Sequence, residues 1–478
     1  MTNESFLELA YTLVRIRDLD VLLETILKRL RGMLGADAGS IFIYDEDTNE
    51  LIFKYTQNDS VYLPFKEFSI AADETSIAGY VAKTREILRL KDVYHLEDEY
   101  PFHFNVSFDK MSGYRTKSMI VYPITDLNDQ LTGVLQFINK KRYEVPLTLE
   151  NVGRIVLPFN ENDEKIAGSL TGIVSLALEN GLLYDNIERM LEGFIKATST
   201  AIDNRNSCTA GHTARVFSIT SLLAQEMHKD LDEFPDFFMN RLKEKILRYA
   251  CYLHDFGKLS VRESVLNRME KLSSEQFSAV KTRLSLAKAC LMLNKDERYE
   301  EINALEEAVI KANKPGKLSE SIKQAIDYCS NFYFADADGN ELPLLTPYEY
   351  ECLCVEEGVH TEGELDMIKG HVKNGFDILN KIPWTKELRD VPVVACSHHE
   401  RMDGNGYPFG REGGEIHIFS RVMGVADAYD FLTNDTIPYR EAMMPEDAVE
   451  VMRSNAAEGG LDPKIVDFFI EKEIYKRV

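Results

Sequence analysis

The sequence predicts a multidomain chain: an α+β domain over residues 1–165, a long connecting helix over 166–200, and an all-α helical bundle over 201–478. Three observations predict it. Between residues 40 and 139, short segments rich in β-branched and aromatic residues recur between turn residues: SIFIYD, LIFKYT, SMIVYPI and LTGVLQFIN. Residues 164–200 contain no proline and sustain an apolar repeat of helical period. Beyond residue 201 the repeat is almost entirely helical, and 478 residues are too many for one ordinary core.

Taken in order, residues 4–34 (ESFLELAYTLVRIRDLDVLLETILKRLRGML) read as one amphipathic helix. The four strand segments form a mainly antiparallel sheet, interrupted by TSIAGYVAKTRE, a helix opening on a Thr-Ser cap. The 164–200 stretch, as a helix of roughly 35 residues, would span about 50 Å. That is long for a simple connection, and it is expected to pair with a second copy in a parallel homodimer together with the N-terminal helix. The alternative is two shorter helices broken at Gly181. Residues 268–350 differ in texture from their surroundings, with charged amphipathic helices such as RYEEINALEEAVIKANKP. Within them DADGNE (336–341) resembles part of a calcium loop but lacks the glutamate at the twelfth position, and reads as a solvated turn.

Composition narrows the function classes. A net charge of -24 opposes a broad nucleic-acid footprint, though a small anion can bind where a metal or a local cation holds it. No run of eighteen apolar residues occurs, and the opening MTNESFLELAYTLVR lacks the basic-then-apolar layout of a signal peptide. Seven cysteines, scattered singly apart from Cys352 and Cys354, fit a reducing compartment. A cytoplasmic protein without a membrane partner is expected.

The chemistry concentrates in the helical half. His212 lies in TAGHTARV, His254 and Asp255 in LHDFGK, His371 in IKGHVKNG, His398 and His399 in CSHHERMDGNGYP, and Asp427 in GVADAYD. Adjacent imidazoles suit two metal ions lying side by side better than one, and a carboxylate such as Asp255 can place an oxygen on each. Two-metal centres of this kind generate a nucleophile and clamp an in-line phosphoryl displacement. Mixed imidazole and carboxylate ligation suits iron, manganese or zinc. Lys258 follows Asp255 by three residues, so it falls on the same helix face.

The HDFGK segment at 254–258 and the HHERMDGNGYP segment at 398–408 together resemble the HD-GYP phosphodiesterases, a branch of the HD superfamily of metal-dependent phosphohydrolases. The resemblance runs from about 195 to 472. It implies hydrolysis of cyclic di-GMP or a related cyclic dinucleotide to the linear dinucleotide and GMP. It also implies two divalent ions, iron or manganese with zinc as the alternative, on His212, His254, Asp255, His371, His398, His399 and Asp427. Catalysis would rest on Asp255 and on Lys258 beside the attacking water, and the substrate would meet Asp403, Gly406, Tyr407, Pro408 and Arg440. A related subset with a GAF domain carries a similar insertion before the helix of His371.

Three departures stand against that pattern. Asn206 replaces the family's aspartate. Cys208 stands where some members place a glutamate for a third metal, which favours a binuclear site. The arginine expected in the 435–437 segment is missing, although Arg440 keeps the final cation of that stretch. These departures leave a second function class beside the enzyme: a non-hydrolysing cyclic-dinucleotide receptor or scaffold whose binuclear centre is structural.

The front half resembles a GAF domain. Asn139-Lys140 followed by Phe159, Asp163 and Glu164 matches the motif of cyclic-nucleotide-binding GAF domains. Lys140 and Asp163 can also pair and tie the last strand to the exit helix, so the motif has a structural reading as well. The resemblance implies a sensor that takes a cyclic nucleotide or another small ligand and regulates the phosphodiesterase.

Overall fold

The chain folds into two units, Met1–Leu191 and Glu192–Val478. The computed structural model describes all residues except 1–10, 14, 63–66, 97–99, 127, 206–210, 337 and 437–440.

Helix α1 (Leu19–Leu34) starts where the Asp18 carboxylate accepts the N–H of Val21 at 3.1 Å, and ends on Gly35 at φ 63°. The helical pattern of residues 4–34 is therefore interrupted at Asp18, because an N-cap aspartate stabilises a helix start better than a helix interior. The sheet is antiparallel throughout, in the order β3 (Ser69–Ala71), β2 (Glu50–Asn58), β1 (Ala36–Asp45), β6 (Leu131–Lys141), β5 (Met119–Thr125), β4 (Leu88–Leu90), with β7 (Val156–Leu157) on β6. The four predicted strand segments are β1, β2, β5 and β6. Helix α2 (Ile77–Thr84) opens on Ser76, whose hydroxyl accepts the N–H of Gly79 at 3.0 Å.

The alternation along the strands fills two cores. One sheet face sends Ile41, Ile43, Tyr122, Leu135 and Phe137 against Leu22, Leu23, Ile26 and Leu30 of α1. The other sends Phe42, Leu51, Val121 and Val134 against Ile77, Val81 and Ala82 of α2. Helix α3 (Glu161–Arg205) is continuous through Gly181 and, at 45 residues, is about 67 Å long. Gly181 is needed for closeness rather than as a break: a Cβ there would press on the side chains of Leu22 and Leu19. By length and composition alone α3 could cross a membrane. Ala167, Leu170, Val174, Ala177 and Leu178 instead bury its apolar stripe in the α1 core.

In the second unit, α4 (His212–Lys229), α5 (Arg241–Leu253), α6 (Ser274–Leu293), α7 (Ile302–Ala312), α8 (Glu320–Ser330), α9 (Pro347–Leu353), α10 (Glu362–Leu379), α11 (Val391–Ala395), α12 (Ile418–Thr433), α13 (Pro445–Ala457) and α14 (Pro463–Glu471) follow in order. The inserted stretch has its own core of Val280, Leu284, Leu291, Leu305, Val309, Ile326 and Leu353. A small hairpin, β8 (Tyr333–Ala335) and β9 (Glu341–Pro343), turns through the DADGNE segment, where the Asp336 side chain accepts the N–H groups of Asp338 and Asn340. The insertion braces α10: Glu364, in its first turn, accepts from Arg268 at 2.7 Å and from the Tyr348 hydroxyl at 2.6 Å.

Candidate metal centre

Five segments bring the predicted ligands to one place. His212 opens α4, His254 and Asp255 follow α5, His371 lies within α10, and His398 and His399 follow α11, while Asp427 faces them from α12. Close backbone approach makes this convergence fit. A Cβ on Gly257 would collide with the carbonyl of His371 and the N–H of Gly375, so the turn after Asp255 can lie on α10 only with glycine there. Gly424 on α12 likewise leaves room for the carbonyl of His398.

The histidines are set by a shared local device. His254, His371 and His398 each direct Nδ1 at the carbonyl three residues back: Cys251 at 2.7 Å, Ile368 at 2.5 Å and Ala395 at 2.7 Å. A carbonyl only accepts, so Nδ1 carries the proton and Nε2 turns a lone pair into the cluster. His212 is fixed by a carboxylate: its Nδ1 lies 2.7 Å from Asp430, which Arg215 grips in turn at 2.5 Å.

The inward-facing atoms are then mostly acceptors. His371 Nε2 is 3.2 Å from Asp255 Oδ1, and His254 Nε2 is 3.4 Å from Asp255 Oδ2. His212 Nε2 is 3.2 Å from both His254 Nε2 and Asp427 Oδ1. The buried Nε2 atoms of His371 and His398 have no hydrogen-bond partner. Buried acceptors facing one another repel unless a cation lies between them. Among the described residues, three groups have ligating atoms within 4.8 Å of one another: His371, His398 and His399; His212, His254 and Asp427; and His254, Asp255 and His398. The donor set therefore fits divalent metal.

The electrostatics agree. Burial and neighbouring imidazoles hold His398 well below its ordinary range, and burial brings His399 down to about 4, so both stay neutral. Burial resists ionisation of Asp255 but is outweighed by the adjacent Lys258 ammonium, and the carboxyl is held far below its usual value. At His212 burial is overcome by Asp427, Asp430 and Asp255, which push the imidazole up to about 10. That rise measures how strongly the pocket favours positive charge at this point. Lys258 Nζ lies 2.6 Å from Asp255 Oδ2.

The Gly-Tyr-Pro loop borders the cluster. Its Tyr407 ring lies 4.9 Å from that of His399, and the Tyr407 N–H reaches the His399 carbonyl at 3.2 Å. Gly406 leaves no space for a Cβ against the backbone of Glu400 and Arg401, and Pro408 follows a cis peptide bond. Asp403 sits outside the ligand cluster, accepting from Arg401 at 2.9 Å and from the Asn405 N–H at 2.9 Å. Glu400 anchors the far end of the loop through the N–H groups of Phe409 and Arg411. Asn206, Cys208 and Arg440 lie outside the described residues.

Sequence reading missed Asp430, Arg215 and Glu400. Asp430 follows Asp427 by three residues and Arg215 follows His212 by three, so helical phase was the available signal.

In the first unit, Lys140 Nζ meets both oxygens of Asp163, at 2.6 and 2.5 Å. Asn139, buried at φ 56°, accepts from the N–H groups of Lys117 and Ser118 and donates to Tyr114 and the Arg115 carbonyl. Phe159 is in the core, and Glu164 pairs with Arg89 at 2.7 Å.

Comparison with known families separates the same two regions. Residues 18–178 match the GAF domain and residues 344–465 match the HD domain, the latter taking in His371, His398, His399 and Asp427. The chain carries a GAF domain followed by a helical region with an HD domain. The cyclic di-GMP phosphodiesterase response regulator of Xanthomonas campestris is 33% identical over 118 residues, 24% of this chain and 30% of that one. The 3′3′-cGAMP-specific phosphodiesterase 3 of Vibrio cholerae is 24% identical over 266 residues, 55% of this chain and 35% of that one. The dual 3′,5′-cyclic-AMP and -GMP phosphodiesterase 11 of Drosophila melanogaster is 28% identical over 194 residues, 38% of this chain and 12% of that one. The chain thus spans about a third or less of the length of each of these relatives.

Proposed function

We propose that this protein is a metal-dependent phosphodiesterase that hydrolyses cyclic di-GMP or a related cyclic dinucleotide, with the GAF domain as its regulator. The observation that carries the reading is the convergence of imidazole Nε2 atoms with the carboxylates of Asp255 and Asp427, and with Lys258 against Asp255. His212, His254, Asp255, His371, His398, His399 and Asp427 would hold two divalent ions, iron or manganese, with zinc as the alternative. Two such ions, when bound, activate water and offset the charge that builds on a phosphate as its ester bond breaks.

The chain's own groups supply the rest. Lys258 keeps its proton, since Asp255 and Asp427 outweigh the cost of burial, and places a positive charge where the phosphate would carry its own. Tyr407 offers an aromatic face beside His399, and with Gly406 and Pro408 forms a rim for a nucleobase, while Asp403 holds the loop in shape. Arg440 is assigned to the same substrate from sequence.

The protein is further proposed to be a cytoplasmic parallel homodimer. Leu176, Leu183, Ile187 and Met190 are exposed along one side of α3 at alternating four- and three-residue steps with Asn180, the seam pattern of a two-stranded coiled coil. Light scattering at micromolar concentration is expected to give twice the chain mass, and a monomer contradicts it. The GAF domain is assigned a cyclic nucleotide or another small ligand.

The activity is tested by loading the full chain with Fe(II) or Mn(II) under reducing conditions and following cyclic di-GMP by chromatography. Linear dinucleotide and then GMP are expected. The departures at Asn206 and in the 435–437 segment favour the second reading, a receptor with a structural metal centre, and tight binding without product would establish that instead.

A further inference from the structure

Beyond the ligand set, the last turn of α3 grips both segments that carry the site. Asp203 is buried, and its two carboxylate oxygens accept from the Thr213 hydroxyl at 2.8 Å and the Thr213 N–H at 3.3 Å. Thr213 follows His212 at the very start of α4. The cap position of α4 is Gly211, at φ 71°, with no side-chain cap bond. Asp203 therefore does from another helix what an N-cap residue does locally: it accepts a first-turn N–H and sets a negative charge at the positive end of the helix. Two residues further on, the Arg205 guanidinium donates to the carbonyls of Leu259 at 2.8 Å and Val261 at 3.1 Å, and lies 3.4 Å from that of Lys258. The backbone carbonyl of Arg205 accepts from Asn267 at 3.0 Å. One helical turn thus holds the first turn of α4, on which His212 rides, and the turn that presents Lys258.

We propose that Asp203 and Arg205 are positioning residues of the metal centre, Asp203 acting through Thr213 on His212 and Arg205 acting on the turn of Lys258. The proposal rests on reading the histidine cluster as a metal centre. Its consequence is regulatory: a rotation or axial shift of the last turn of α3 is felt at one metal ligand and at the catalytic lysine together. Among the described residues, the His212 imidazole itself is held by Asp430, so Asp203 acts on the helix start rather than on the ring.

The test uses the full chain, purified free of metal and titrated with Mn(II) alone, followed by turnover of cyclic di-GMP. Thr213→Val keeps the shape and removes the hydroxyl, and Asp203→Ala removes the acceptor. Both are expected to weaken one of two Mn(II) ions about tenfold or more, the range in which groups that orient metal-bound imidazoles act. Thr213→Ser is expected to restore wild-type affinity. Arg205→Ala is expected to keep two Mn(II) ions while kcat falls at least fivefold more than KM changes, with Arg205→Lys intermediate. Metal-free thermal unfolding of each variant separates general destabilisation from loss of positioning. If wild type binds two Mn(II) ions while Thr213→Val and Arg205→Ala lower only the metal-free unfolding temperature, with Mn(II) affinity and kcat within twofold of wild type, the proposal is overturned. If wild type itself binds no Mn(II), the metal-centre reading fails and this proposal fails with it.

Discussion

Two lysine–aspartate pairs of nearly equal geometry occupy the two halves of this chain. In the GAF domain Lys140 meets Asp163 at 2.6 and 2.5 Å, and in the helical region Lys258 meets Asp255 at 2.6 Å. Their surroundings differ. Asp163 also accepts the N–H of Asn160 at 2.8 Å, and its carbonyl accepts the Tyr122 hydroxyl at 3.0 Å, so donors answer acceptors and the pair closes a structural joint between β6 and α3. Asp255 is ringed by imidazole Nε2 atoms at 3.2, 3.4 and 3.6 Å, those of His371, His254 and His212. There acceptors outnumber donors, and the balance calls for cations. The pair itself does not reveal its role. The neighbours do.

Breaking the second pair on its carboxylate side gives the largest expected effect. Asp255→Ala removes two oxygens that between them face three histidines, and elemental analysis is expected to find at least one metal ion lost per chain, as for His398→Ala. A full complement in both variants contradicts the ligand assignment. Thermal unfolding of wild type is also expected to fall on chelation, because metal held only by the folded chain adds to its stability. Breaking the pair on its lysine side is the more discriminating change. Lys258→Met keeps the length and loses the charge, so metal content stays while kcat falls about a hundredfold, the loss typical of one preorganised charge-stabilising group.

The mirror experiment in the GAF domain separates the two pairs. Lys140→Met leaves a largely buried Asp163 with its backbone donor but without its cation, and should cost about 1–3 kcal/mol of stability in that domain. Metal content and kcat of the helical region are expected to stay at wild-type values, and a kcat loss like that of Lys258→Met would falsify the structural assignment of the first pair. The smallest expected effect is at the substrate rim. Thr436→Arg supplies the cation absent from the 435–437 segment and is expected to lower KM about tenfold, or roughly 1.4 kcal/mol, with little change in kcat, because a base contact is made in ground and transition states alike. A change confined to kcat counts against a role in substrate binding.

Much of this was legible in the sequence, for a physical reason in each case. The period-2 segments gave β1, β2, β5 and β6 because each strand is packed on both sheet faces by alternating side chains. The motifs around His254 and His398 pointed to the ligand candidates because adjacent imidazoles suit two side-by-side ions, and because the two motifs together carry the family resemblance that implies the set. What stayed hidden depended on contacts distant in sequence. Gly181 left a broken helix as the alternative to the expected continuous one, because Leu22, against which it packs, is far away in sequence. Asp430 acts on His212 from 218 residues away, and only its three-residue step from Asp427 hinted at it. The start of α1 was obscured because a helical apolar repeat runs through Asp18, and only its cap bond to Val21 marks the boundary.

The central claim is that the acceptor-rich cluster around Asp255 exists to hold metal for phosphodiester hydrolysis. Its most direct test is product formation from cyclic di-GMP by the full chain carrying two Fe(II) or Mn(II) ions, measured beside Lys258→Met at the same metal content. The account predicts linear dinucleotide and GMP from wild type and a roughly hundredfold lower rate from the variant. Two ions bound, with no product from cyclic di-GMP or 3′3′-cGAMP and no difference between the two proteins, would contradict it.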